Sequence, residues 1–238
     1  MVAANELFGQ ASEFPDPDAQ NRFQAPVGID EIKGRLIAEA SLLLDPDALE
    51  KWSKQHHGGF PMGAKEVSLR TPLVVLAGDV GTGKTELAES FGDAVARAMK
   101  VDITLYPLSL SARGKGAVGE MTSLLTAAFD EVRTAANNAR NRQGRVTRGL
   151  ILLIDEADAL AQSRELAQMH HEDRAGVNAL IRGIDGLRNE KLPVLTVMCT
   201  NRLDALDPAV TRRSAVVFSF SNYSAGFGAV PLEGEGRR

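Results

Sequence analysis

The chain has 238 residues, a net charge of −4, 44% apolar residues and only 5% aromatic ones. That length suits one sizeable core with at most a small appendage, and the mild acidity excludes a global electrostatic pull toward nucleic acid while leaving local basic patches open. A single cysteine, Cys199, excludes an internal disulfide and points to a reducing compartment.

Residues 1–26 mix Asn, Gln and Asp with Pro15, Pro17 and Pro26 and show no sustained periodicity, which predicts an extended or flexible N-terminal arm. There is no basic leader followed by an apolar stretch, and no apolar run approaches the roughly 18 residues of a membrane span. The expected location is the cytoplasm, with no membrane partner. From Val27 the pattern turns helical: Ile29, Ile32, Leu36, Ile37, Ala40 and Leu43 recur at three- and four-residue spacing. Asp45-Pro46-Asp47 breaks that helix and caps a second one through Trp52. The paired His56 and His57 fall in a loop reading, and no Cys or carboxylate stands at ligand spacing to make them a metal site.

Leu73–Ala77 is an apolar run of strand length, and Glu86–Met99 is an amphipathic helix. A short strand over Asp102–Tyr106, a loop over Ser109–Gly119 and a helix from Glu120 to about Asn141 follow. The four arginines of 140–148 read as a solvated turn, with nucleic-acid contact as the other reading. Gly149–Ile154 suits a strand buried on both faces of a parallel sheet. Helical material over 159–188, broken near 162–174, leads to a buried strand at Val194–Thr200. A short helix then begins at Asp204, and a last strand is expected over Ala215–Phe220. Alternating strands and helices specify an α/β fold with a parallel sheet.

Between the first strand and its helix lies Gly78-Asp79-Val80-Gly81-Thr82-Gly83-Lys84-Thr85, which fits G-x-x-x-x-G-K-[ST]. Glycines let the backbone bend tightly enough to aim successive N–H groups at a polyphosphate, and the helix that starts there adds the positive end of its dipole. Lys84 would reach the terminal phosphates, and the Thr85 hydroxyl would sit on Mg²⁺. Asp155 ends the second apolar strand, where a carboxylate can hold the Mg²⁺ shell, and Glu156 follows it as a candidate base for an attacking water. That pairing favours hydrolysis over transfer to a bound acceptor. Asn201 ends the third apolar strand, within reach of a γ-phosphate. Arg212 and Arg213 precede the last strand, where a guanidinium offered across a subunit interface would stabilise developing phosphoryl charge. Cys199 reads as a small buried hydrophobe.

On these motifs the chain resembles the nucleotide-binding domain of AAA+ ATPases over roughly residues 26–220. The match rests on Gly78–Thr85 (Walker A), Leu150–Glu156 (Walker B), Cys199–Asn201 (sensor 1), Leu206–Arg213 (arginine-finger region) and Val27–Glu31, which is similar to the family's segment near the adenine pocket. The resemblance implies a five-stranded P-loop sheet ordered 5-1-4-3-2 with helices on both faces, and a ring, usually hexameric, with ATP bound between neighbours. It also implies a phosphate site at Gly78–Glu86 with Lys84 and Thr85 on phosphate and Mg²⁺, and Mg²⁺ held by Thr85 and Asp155. Glu156 is then the general base, Asn201 the γ-phosphate sensor, and Arg213 or Arg212 the residue acting in trans. The expected function is remodelling of a protein substrate or adaptor. The alternatives are a low-turnover assembly switch and a DNA-processing ATPase.

Two departures stand out. Threading members carry an aromatic before Val118-Gly119-Glu120, where this chain has Gly116-Ala117, with Arg113 and Lys115 nearby. After residue 220 the chain is Gly-rich and too short for the family's helical lid, so residues 221–238 are expected to be a flexible tail, with the lid absent, supplied by a partner or lost by truncation.

Overall fold

The computed structural model describes residues 7–59, 65–67, 69–110, 120–162 and 170–220. Its elements run β1 (Ser12–Phe14), α1 (Pro17–Gln24), α2 (Asp30–Leu44), α3 (Pro46–His57), β2 (Leu73–Gly78), α4 (Lys84–Met99), β3 (Asp102–Ser109) and α5 (Glu120–Ala136). They continue with β4 (Arg148–Asp155), α6 (Ala159–Gln162), α7 (His170–Asn189), β5 (Val194–Thr200), α8 (Pro208–Thr211) and β6 (Val216–Phe220).

The six-stranded sheet has the order β1-β3-β4-β5-β2-β6. Strands β2 to β6 are all parallel, and numbered among themselves they give 5-1-4-3-2, the order that the resemblance implies. The sixth strand, β1, is an addition, antiparallel to β3 with Phe14 opposite Ile103. Residues 7–24, read from composition as an arm, carry this strand and a packed helix instead. The physical reason is a notch in α4. A Cβ on Gly92 would meet the Phe14 ring at 2.5 Å, so a glycine in mid-helix opens the space that the ring fills. Asp16 caps α1 by accepting from Ala19 N at 2.9 Å, and its own amide donates to Asp93 Oδ1 of α4 at 2.8 Å.

Strand β3 runs three residues beyond the expected Tyr106 and passes through Pro107. Gly9 N donates to Pro107 O at 2.9 Å, so this residue's polar side faces away from β4 and its missing N–H interrupts no bond of the parallel ladder. Helix α5 stops at Ala136, short of the expected Asn141. Asn141 instead shapes a tight turn, accepting through Oδ1 from Gln143 N and Arg145 N.

The central parallel strands β2, β4 and β5 are largely apolar because both faces of the sheet are covered. Leu73, Val75, Leu152 and Ile154 belong to the core shared with α5 and α7. Val74, Leu76, Ile151 and Leu153 belong to the core shared with α1, α2 and α4. No helix among the described residues is long and apolar enough to cross a membrane. The tail over 221–238 and the segment over 111–119 lie outside the described residues.

Candidate active site

Because β2 to β6 run in one direction, their carboxyl ends share one edge, the usual place for a ligand in an open α/β sheet. Gly78, Ser109, Asp155 and Thr200 end four of these strands. The turn after β2 needs its glycines. Gly81 and Gly83 stand at φ 80° and 85°, in the left-handed region that side chains resist. At Gly78 a Cβ would lie 2.1 Å from the Phe220 carbonyl oxygen of β6.

Lys84 opens α4 and is buried, with Nζ donating to Asp79 O at 2.7 Å and to Thr82 Oγ1 at 3.3 Å. Thr85 Oγ1 donates to Asp155 Oδ2 at 3.3 Å, which brings the two expected Mg²⁺ ligands together. The second oxygen of Asp155 accepts from Glu156 N at 2.8 Å. Val80 stands out from the turn, 78% exposed. Glu86 lies 3.5 Å from Arg22 of α1.

Glu156 is the unusual residue here. Its φ is 54°, a left-handed backbone on a side chain without glycine's freedom. Neighbouring bonds hold that conformation. Ala157 N donates to Cys199 O at 2.9 Å, and Asp158 Oδ1 accepts from Thr200 Oγ1 at 3.5 Å and from Asn201 N at 3.4 Å. The turn that carries the candidate base is thereby tied to the end of β5, which carries the candidate sensor. Ser109 Oγ, at the end of β3, donates to Glu156 Oε2 at 3.3 Å. Sequence reading missed both Ser109 and Asp158. Their only signal is position, at a strand end and two residues past Glu156.

The cleft enclosed by these groups holds about 370 Å³ and is lined by Gly81, Lys84, Thr85, Asp155, Glu156 and Asn201, among others. Backbone donors, a buried ammonium, a hydroxyl and a carboxylate suit a Mg²⁺–polyphosphate. Two protein ligands are enough for Mg²⁺, which keeps several waters and takes phosphate oxygens for the rest. Cys199 also lines the cleft, where burial first, and then the charge of Asp155, push its thiol well above the ordinary range. Arg212 and Arg213 do not line the cleft. Arg213 lies 3.6 Å from Asp185 of α7 and donates to Ala209 O at 3.1 Å, whereas Arg212 is exposed. His56 and His57 sit on α3 with their rings against Trp52, at centroid distances of 4.9 and 5.2 Å.

A P-loop at the carboxyl edge of a 5-1-4-3-2 sheet, facing an Asp-Glu pair and a strand-end Asn, defines a nucleotide-binding α/β protein. The family model for the ATPase family associated with various cellular activities (AAA) matches residues 74–222, and the chain belongs to that family. It is similar to CD-NTase-associated protein 6 of Escherichia coli strain MS 115-1, at 58% identity over 217 residues, covering 91% of this chain and 70% of the relative. Among solved structures it is similar to a chain of the E. coli MS115-1 HORMA:CdnC:Trip13 complex, at 55% identity and a TM-score of 0.82, covering 92% of this chain and 72% of the other. It is also similar to Trip13 from Rhizobiales, at 44% identity and a TM-score of 0.72, covering 90% and 69%.

Proposed function

We propose that the chain binds ATP with Mg²⁺ in the cleft at Gly78–Glu86, hydrolyses it at a subunit interface, and uses the cycle to remodel a protein partner from a cytoplasmic ring. The observation that carries this reading is the convergence of Lys84, Thr85, Asp155, Glu156 and Asn201 from three strand ends onto one cleft. Bound Mg²⁺–ATP supplies the phosphoanhydride to be cleaved. Lys84 exchanges the neutral acceptors of its own loop for phosphate, a stronger charge-assisted partner. Thr85 and Asp155 hold the ion, Glu156 accepts a proton from the attacking water, and Asn201 orients that water or the terminal phosphate. Arg212 is the better candidate to act on a neighbour's nucleotide, because Arg213 is engaged by Asp185 and Ala209 of its own chain.

For the partner, the E. coli complex supports a HORMA protein, since the similar chain there was solved together with HORMA and CdnC. The basic turn gives nucleic acid less support. Arg140, one of its four arginines, is drawn to Asp47 at 3.5 Å and Asp45 at 3.9 Å. The deciding experiment is a multiple-turnover ATPase assay on purified chain and on Glu156→Gln, followed by capture of partners on the ATP-loaded variant. The expected result is turnover in the parent, none in the variant, and a HORMA protein retained only with ATP. Equal turnover in both proteins overturns the assignment of Glu156.

A further inference from the structure

The charged side chains that line the cleft are Lys84, Glu86, Asp155 and Glu156. The proposed function uses three of them and leaves Glu86 without a task. A carboxylate in the first turn of α4 suits the helix itself, whose amino end carries partial positive charge. It does not suit the ligand. The same helix end has to receive a polyphosphate, and like charges at close range repel. Glu89 stands three residues further along α4, on the same face.

Arg22, in the last turn of α1, faces both carboxylates. Its Nη1 lies 3.5 Å from Glu86 Oε1 and donates to Glu89 Oε2 at 3.4 Å. As a fastener this contact is weak. Both distances are long, the three side chains are 42–46% exposed, and exposed pairs add little to stability. The segment that carries α1 has firmer holds on α4: the Phe14 ring in the notch at Gly92, the Asp16 amide on Asp93, and Ala19 and Phe23 buried in the shared core. What Arg22 adds is charge, and a charge acts across its whole neighbourhood, within the screening length of the salt.

We propose that Arg22 is a positioning residue of the phosphate site, acting through Glu86. It draws that carboxylate to the α1 side of α4 and cancels its charge, so that an incoming polyphosphate meets the field of Lys84 and of the helix end. The inference rests on the reading of the cleft as a Mg²⁺–nucleoside triphosphate site. It separates from a structural role by sign. If the pair only fastens α1 to α4, removing either partner does the same harm. If Arg22 screens Glu86, removing the guanidinium weakens the triphosphate, whereas removing the carboxylate does not.

The test uses the full chain with Mg²⁺ and ribose-labelled fluorescent ATP and ADP. The parent, Arg22→Gln, Glu86→Gln and the double variant are titrated at low and at high salt, and each is melted without nucleotide. Arg22→Gln should weaken the ATP probe about five- to tenfold at low salt and the less charged ADP probe by less, with the loss shrinking to within about twofold at high salt. Glu86→Gln should bind ATP at least as tightly as the parent. The double variant should return to within about twofold of the parent, whatever the melting temperatures do. Three results overturn the proposal: ATP affinity unchanged in Arg22→Gln at low salt, a loss in Glu86→Gln like that in Arg22→Gln, or a double variant that stays as weak as Arg22→Gln. The second makes the pair a fastener, and the third gives Arg22 a direct contact with phosphate. A parent that binds neither probe instead sinks the nucleotide reading itself.

Discussion

Two turns face each other across the cleft, and they reach left-handed backbone by opposite means. In the turn after β2 the positions at φ 80° and 85° are Gly81 and Gly83, which adopt them at no steric cost. In the turn after β4 the position at φ 54° is Glu156, and a side chain there costs about 1–2 kcal/mol. The first turn is written into its own residues. The second is imposed by β5 through the Ala157–Cys199 bond and the Asp158 carboxylate. The candidate phosphate cradle is thus preset by its own residues, whereas the candidate base is held through contacts with the end of β5.

The largest effects should separate the two turns. Lys84→Ala removes the ammonium from the cradle and should weaken nucleotide binding by at least about a hundredfold, read with a fluorescent ATP analogue. Glu156→Gln keeps the turn and its bonds but cannot accept a proton. It should cut turnover about 10²–10⁴-fold with binding within a few-fold of the parent. If both variants lost binding alike, the division of labour between the turns would be wrong.

This contrast also marks what was legible in the sequence. Gly81, Gly83, Lys84 and Thr85 carry their geometry locally, so the cradle could be read directly. The strand order followed from the family resemblance, and Asp155-Glu156 was found because two carboxylates after five consecutive apolar residues, Leu150–Ile154, are conspicuous. The strain at Glu156 left no trace, because it depends on partners more than forty positions away in β5. The docking of residues 7–24 was hidden for the same reason. Asp16 and Asp93 are 77 positions apart, and Gly92 looks like a plain helix weakness until Phe14 is seen in its notch.

Asp158 tests whether β5 really imposes the second turn. Asp158→Ala deletes the acceptor shared by Thr200 and Asn201 and should lower turnover about ten- to a hundredfold without changing ATP affinity. Asp158→Asn keeps an Oδ1 acceptor and should stay within about threefold of the parent. Equal losses in both variants would mean that charge, and not the tie to β5, is what matters. On the cradle side, Gly83→Ala places a side chain at φ 85° and should cost about 1–2 kcal/mol of stability, seen in denaturant melts, with poorer nucleotide binding.

The smallest effect is expected at Ser109, and it bears on how Glu156 is aimed. Its hydroxyl reaches Glu156 Oε2 at 3.3 Å, a long bond at an exposed site, so it adds little to an orientation that the backbone of the turn already sets. Ser109→Ala should therefore change turnover by less than about threefold, with binding intact. If it fell as far as Asp158→Ala, the carboxylate would be aimed by β3 through its side chain. The tie to β5 would then be secondary, and control of the base would run through the strand that leads into residues 111–119.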